Sequence, residues 1–305
     1  MSDLAPTTGL LDAELPDERF RDDQYLSWLY QQNPYGAAIQ RNVDEDGVRV
    51  AHYALIPQRY RDAQGPATAM FSLNAVTRTG VQRKGHFRRI GLEIYEEAAA
   101  AGFRFVVGVS NERSVGAVVK YMGWRHWGPM PVRVGAPFGR GARGATHHPV
   151  TPDFLAGPEL DRVAAGLDDA PAAGWVNRWT PEYLRWRLAC PHARYVVHAS
   201  DDLVAISTRD RRLGVNAAVI LKLLPRPGAA LPVNPSGLIA AACRYHRAPY
   251  AVYAGFNRHV PVRGLRPPRR LQPSPLHLII RHLDPTVDQE ALVLDTFEFL
   301  DGDAY

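Results

Sequence analysis

The residues best suited to chemistry stand together at Gln82-Arg83-Lys84-Gly85-His86-Phe87, where cations and a glycine enter a helical pattern. The first turn of a helix leaves backbone N–H groups without intrahelical partners and concentrates positive potential, so a tight loop entering it holds phosphate oxygens with main-chain donors. Gly85 permits close approach, and Arg83 and Lys84 add cationic side chains that reach a pyrophosphate or a ribose phosphate. An ordinary strand-to-helix turn would use the same letters, so the hexapeptide alone licenses a phosphate-binding turn. Elsewhere the chemical signals are sparse. Cys190 and Cys243 read as small core residues, His147-His148 reads as solvated linker, and no metal site is expected.

The elements that must position this loop follow from periodicity. Tyr25, Leu26, Leu29 and Tyr30 predict a helix ended by Asn33-Pro34, after a lead-in at 1–22 that reads as a tail. Short strand-like runs at 38–43, 48–57 and 70–76 suggest an antiparallel meander. Phe87, Ile90, Ile94, Ala98 and Ala101 then put one apolar stripe on a helix ending at Gly102, and the apolar run 103–109 predicts a buried strand parallel to an earlier one. A further helix over 114–121 leads to Gly123-Trp124.

Residues 136–152 carry Gly, Arg and Pro without periodicity and read as a linker between units at 23–135 and 153–305. The second unit restarts the first. YLSWLYQQNP is echoed by YLRWRLACP, and 214–224, 237–246 and 250–256 repeat the order strand, helix, strand. The fold class expected is α+β, in two similar halves, each a mostly antiparallel mixed sheet flanked by helices.

Composition bounds the partners. The 305 residues are 46% hydrophobic and 22% charged, as in soluble globular proteins, and a net charge of +5 admits anionic ligands without calling for nucleic acid. The acidic, Pro-containing start lacks the pattern of a signal peptide, and no run of about 18 apolar residues occurs. A cytoplasmic protein without a membrane partner is expected, and a homo-oligomer is left open.

QRKGHF resembles the Gln/Arg-x-x-Gly-x-Gly/Ala motif of the GNAT superfamily of N-acyltransferases, and VSNERSVGAVVKYMGW is similar to that family's later segment. The apparent duplication and the NPYG turn resemble bacterial tandem-GNAT proteins. The resemblance implies direct transfer of an acetyl or short acyl group from acyl-CoA, as co-substrate, to a primary amine of a small molecule, such as an amino sugar on a nucleotide carrier. It implies that Gln82, Arg83, Lys84, Gly85, His86 and Phe87 bind the CoA pyrophosphate. By the same resemblance Val76 and Thr77 are expected to line the pantetheine arm through backbone atoms, with Asn111 near its far end. His52 and Asn74 flank the wedge between parted strands, His52 being the first choice of base because an imidazole titrates near neutrality.

Two departures stand out. Phe87 occupies a position usually held by Gly or Ala, and Val119 stands where many members carry the Tyr that protonates the leaving thiolate. Tyr121 is the remaining candidate for that acid, although it stands about 200° further round the helix. In the second half, prolines in PRPGAALPVNPSG delete the amides a phosphate cradle needs, so that half is expected to shape the acceptor side. Arg258, Arg263, Arg266, Arg269 and Arg270 mark a candidate loop for an anionic acceptor. The competing functions are transfer from a charged tRNA, which predicts a broad basic face, and non-catalytic acyl-CoA binding.

Overall fold

The computed structural model describes residues 3–15, 17–137, 142, 144–170, 172–212, 214–268 and 276–302. The chain begins with α1 (Ala5–Glu14), a 3-10 turn (Glu18–Arg21), α2 (Asp23–Gln31), β1 (Ile39–Glu45), β2 (Val48–Asp62), β3 (Gly65–Thr77), α3 (His86–Ala100), β4 (Phe105–Asn111), α4 (Val115–Met122) and β5 (Arg125–Pro129). It continues with β6 (Val132–Gly135), β7 (Thr146–Pro149), α5 (Pro152–Ala156), α6 (Pro158–Ala164), β8 (Val176–Asn177) and α7 (Pro181–Leu188). The remainder is β9 (Val196–Ala199), β10 (Leu203–Arg212), β11 (Val215–Pro225), α8 (Ser236–His246), β12 (Tyr250–Asn257), β13 (Leu276–His282) and β14 (Thr296–Glu298).

Local chemistry sets many of these boundaries. Asp22 accepts the Gln24 amide and starts α2, and Thr180 accepts the Tyr183 amide and starts α7. Asp46 and Gly47, both at positive φ, make the tight turn joining β1 to β2. In α3 the apolar stripe Ile90, Ile94, Tyr95 and Ala98 is buried against the strands, as the periodicity requires.

Among the described residues there are two seven-stranded sheets, one running β1-β2-β3-β4-β13-β5 with β8 on β2, the other β14-β12-β11-β10-β9-β7 with β6 on β12. Each has one parallel pair, β3 with β4 and β11 with β12; every other pairing is antiparallel. The expected fold class and the internal duplication are both present. Trp28 and Trp186, the tryptophans of the two repeated segments, stack with ring centroids 4.9 Å apart. Each indole donates to the other's carbonyl, Trp28 Nε1 to Trp186 O at 2.8 Å and Trp186 Nε1 to Trp28 O at 3.1 Å. A buried indole must satisfy its single donor, and this reciprocal pair does so while joining the halves.

Three expected boundaries are corrected. Residues 5–14 are not a tail: α1 packs on β2, with Leu10 and Leu11 fully buried, and Phe20 follows them into the core. The segment read as linker contains β7, paired with β9, so His147 and His148 are strand residues. The halves also exchange strands, because β13 from the second lies between β4 and β5 of the first, and β6 crosses to pair with β12. Hydrophobic periodicity is blind to such an exchange, since a buried strand has the same pattern in either sheet.

The carboxyl-terminal segment is fixed by charge. Lys222 on β11 is buried, its Nζ 2.9 Å from Glu298 Oε2 and 2.7 Å from Asp301 Oδ2. The two carboxylates hold the ammonium above its ordinary pKa although burial works the other way. Asp301 also accepts from Trp179 Nε1 at 3.1 Å and, through its carbonyl, from Gln58 Nε2 at 2.8 Å, and Gly302 O accepts from Arg187 at 2.7 Å.

A fragment ending at residue 150 lacks β13 and is expected to show no cooperative unfolding by circular dichroism, whereas co-expression with 151–305 restores it. Lys222→Met leaves two buried carboxylates without their cation and is expected to cost about 3–5 kcal/mol in urea unfolding.

Candidate active site

The parallel ladder of β3 and β4 is four pairs long, from Ala69 with Phe105 to Ser72 with Gly108, and then the strands part. The parting coincides with a bulge. The register of β2 on β3 shifts between His52 and Ala54, so Asn74 and Ala75 stand against Tyr53. Asn74 takes a φ of +51°, a conformation costly for a residue with a side chain. Gly108 marks the apex of the wedge, where an added Cβ would lie 3.1 Å from Ser72 Cβ and 3.3 Å from the Trp124 ring. Past Ser72 no strand among the described residues pairs with β3 on the β4 side, which leaves main-chain groups facing the gap.

The loop expected to bind phosphate lies at the N-terminus of α3. Arg83 and Gly85 have positive φ values of +71° and +82°, and Lys84 between them does not. Such alternation is the φ pattern of a nest, in which successive N–H groups turn toward one point and can receive an anion. Gln82, Arg83, Lys84 and Gly85 are exposed, so the nest is open to solvent. Carboxylates of the chain itself already lie against these donors. Glu45 accepts from Lys84 Nζ at 2.8 and 3.1 Å and contacts His86 Nε2 at 3.0 Å. Glu14 accepts from the Thr79 amide at 3.0 Å and its hydroxyl at 2.7 Å. The Lys84 hydrogen bond holds the Glu45 carboxyl below its ordinary pKa.

Phe87 does not crowd this loop. Its ring stacks on Tyr53 with centroids 5.9 Å apart and packs into the core under α3. Val76 is buried on the β3 stretch past the parting, and beside it the buried Thr77 Oγ1 has no hydrogen-bond partner. Asn111 ends β4, but its Oδ1 accepts the Arg113 and Ser114 amides at 3.0 Å and is spent on starting α4.

Of the residues expected to handle protons, Asn74 alone reaches the cleft. His52 is fully buried, with Nδ1 2.7 Å from Asn42 Oδ1 and Nε2 3.0 Å from the Tyr30 hydroxyl, and burial pushes its pKa down to about 3. That corrects its reading as a base, since both ring nitrogens are engaged inside the protein. Tyr30 in turn accepts from Asn74 Nδ2 at 2.7 Å. The bonds form one consistent chain, in which His52 donates from Nδ1 and accepts at Nε2, and Asn74 Oδ1 is left over. Tyr121 is 54% exposed beneath Lys120 on the outer side of α4 and does not line the cleft.

The cleft, about 210 Å³, includes Phe71, Ser72, Leu73, Asn74, Val109 and Met130 from the first half. The rest of its wall is Leu276 of the exchanged β13 and Phe297, Phe299 and Gly302 of the carboxyl-terminal segment. Sequence reasoning missed these. LHLIIRH carries a strand signal, yet nothing local says which sheet it joins. Ser72 was also missed: its hydroxyl, at the wedge apex, is 2.7 Å from Tyr53 Oη, which is 2.7 Å from Tyr95 Oη.

The second half has the same ladder, four pairs from Ala217 with Tyr250 to Ile220 with Tyr253. There β14 pairs with Gly255–Asn257 beyond the ladder and its Glu298 reaches Lys222, so the chain bridges its own second wedge. In place of a solvated linker, His147 Nδ1 meets His198 Nδ1 at 2.7 Å, and Ser207 Oγ lies 2.7 Å from both His198 Nε2 and His246 Nε2. Arg258 pairs with Asp295 at 3.2 Å, and Arg263 and Arg266 are exposed away from the cleft. Arg269 and Arg270 lie outside the described residues.

Burial holds His52 and His198 at about 3 and His246 at about 4, below the ordinary 6.5. The unfolded chain therefore binds more protons between these values, and stability falls as pH drops from 6.5 toward 4, by up to about 1.4 kcal/mol per pH unit for each histidine. Urea unfolding at pH 7.5, 6 and 5 checks this, and His52→Gln is expected to flatten the slope.

No family profile matches the sequence, and no curated protein sequence matches it. Solved structures do. A GCN5-related N-acetyltransferase from Anabaena variabilis ATCC 29413 superposes with a TM-score of 0.62 at 11% identity, over 92% of this chain and 70% of that one. Eis1 from Mycobacterium abscessus gives 0.57 at 10%, over 93% and 73%. A tandem GNAT protein from the clavulanic acid biosynthesis pathway gives 0.51 at 12%, over 93% and 96%. This chain has the tandem GNAT fold.

Proposed function

We propose that the chain is an acyl-CoA-dependent N-acyltransferase, moving an acetyl or other short acyl group to a primary amine of a small molecule. The observation that carries this reading is the asymmetry of the wedges: the one beside the exposed nest is open and the other is bridged. In this reading the nest at 83–85 and the first turn of α3 hold the pyrophosphate, with Gln82, Arg83, Lys84 and His86 around it. The pantetheine arm runs along the β3 stretch of Val76 and Thr77, whose orphaned hydroxyl gains a partner. The thioester then lies at the apex beside Ser72 and Gly108.

The amine nitrogen attacks the thioester carbon, and the oxygen gathers charge against unpaired main-chain donors of β3. The C–S bond breaks as the amide forms, and the departing sulfur takes a hydrogen bond from Ser72, backed by Tyr53. Burial pushes the Tyr53 phenol up to about 12, so it stays protonated and acts as a donor. No titratable side chain lines the cleft among the described residues, so the amine arrives neutral and loses its proton to solvent. Clamping both reactants supplies the remainder through orientation, and direct transfer asks for no metal. A cytoplasmic site of action goes with this use of acyl-CoA.

Calorimetry with acetyl-CoA, followed by thiol release across an amine panel, tests the proposal. Micromolar binding with turnover is expected. Gly85→Val, which forces a branched side chain to a φ of +82°, is expected to weaken binding about tenfold or more. Absence of binding at millimolar acetyl-CoA overturns the reading. Binding without turnover assigns the chain to acyl-CoA recognition alone, and tRNA binding in its place assigns it to the charged-tRNA alternative.

A further inference from the structure

The cleft specifies which amine the site would accept. α3 and α4 cover one face of the first sheet, where Tyr53, Ile90, Ile94 and Trp124 form one core, and the nest lies at the start of α3. Phe71, Leu73 and Phe297 belong to the other core, between the sheets, and line the cleft on that side of the wedge. A donor approaching along the α3 face thus presents its acyl carbon through the wedge to a ligand held in the cleft.

No charged side chain lines this cleft among the described residues, and apart from Ser72 at the apex, Asn74 and Gly302 its walls are aromatic and aliphatic. An amino sugar would leave hydroxyls unpaired against these walls, and a polyamine would bring ammonium groups into a wall without carboxylates, both of which cost binding. An apolar body removes its own surface from water there at no such cost. One polar side chain from the bulge completes the picture. Asn74 has its Nδ2 committed to Tyr30, while its Oδ1 has no hydrogen-bond partner among the described residues. His52 fixes that orientation through Tyr30, so a carbonyl oxygen is presented at the wedge. It accepts an N–H and holds the nitrogen lone pair available for attack.

We infer that the acceptor is a primary amine on an aromatic or branched aliphatic body, its nitrogen received by Asn74 and its body enclosed by Phe71, Phe297 and Phe299. The inference rests on the acyltransferase reading and turns the acceptor away from the nucleotide-linked amino sugar suggested by sequence resemblance. Phe299 and Asn74 set specificity in this view, and His52 is a positioning residue acting through Tyr30.

Thiol release from acetyl-CoA by the full-length protein tests it with 2-phenylethylamine, 3-methylbutylamine, glucosamine and spermidine. The two apolar amines are expected to exceed glucosamine and spermidine in kcat/KM by about a hundredfold or more. Phe299→Asp, which adds the missing carboxylate, is expected to lower kcat/KM for 2-phenylethylamine at least tenfold and to raise it for spermidine. Asn74→Ala is expected to lower kcat for every amine while acetyl-CoA affinity holds, with thermal melts showing that both variants fold. Preference for glucosamine or spermidine by the unaltered protein, with acetyl-CoA turning over normally, overturns the inference and leaves the acyltransferase reading standing. A Phe299→Asp effect that follows acyl-chain length, read with hexanoyl-CoA in place of acetyl-CoA, also overturns it by assigning the cleft to the acyl chain. No acetyl-CoA binding at all is the failure of the underlying reading instead.

Discussion

An ammonium buried between two carboxylates, Lys222 with Glu298 and Asp301, decides which of the two wedges of this molecule is bridged. Two charges of one sign and one of the other, removed from water, persist only where hydrogen bonds satisfy the remaining lone pairs. Trp179 and the Glu298 amide supply them to Asp301, and Asn257 Nδ2 supplies Glu298 Oε2 at 3.2 Å, while the buried Glu298 Oε1 has none among the described residues. The reward of this arrangement is placement more than stability. It draws residues 296–301 across the ends of β11 and β12, and the same segment turns Phe297 and Phe299 toward the first sheet. One cluster closes one wedge and walls the other.

Duplication gave both halves the same four-pair parallel ladder, and the strand exchange made them inseparable. Because β13 completes the first sheet, the cleft is built from residues more than two hundred positions apart, Phe71 against Leu276 and Phe297. The reciprocal tryptophans anchor this arrangement from the opposite end of the chain, one from each copy of the repeated helix. Neither half would present the cleft alone, since one supplies the parted strands and the other supplies the wall.

The parts of this architecture legible in the sequence are those encoded locally. The stripe of α3, the loop before it, the Asp46-Gly47 turn and the Tyr-Leu-x-Trp repeat each depend on residues close in the chain. α1 was hidden because Pro6, Thr7, Thr8 and Gly9 are poor helix formers and its leucines are adjacent; packing on β2 overrides propensity there. His52 misled for a related reason. An imidazole near neutrality is a credible base until burial and two fixed partners take its lone pair out of reach, and only tertiary structure shows Asn42 and Tyr30 on either side. Asn74 was found on its strand, yet its left-handed backbone and its free Oδ1 follow from a bulge that no local pattern announced.

The loop before α3 poses an electrostatic question of its own. Its donors face Glu45 and Glu14, so the pyrophosphate of the proposed function would compete with groups already in place. The comparison favours the ligand. Glu45 gives one charge to Lys84 and His86 at an exposed position, where ion pairs are weak, whereas a pyrophosphate brings more charge and enough oxygens to engage the nest amides that Glu45 leaves unused. The carboxylates keep the cations ordered without filling the cradle. Under the proposed reading, simple anions with a single charge would gain little over Glu45, so selectivity for a polyphosphate would arise from the chain's own competitor as well as from the nest.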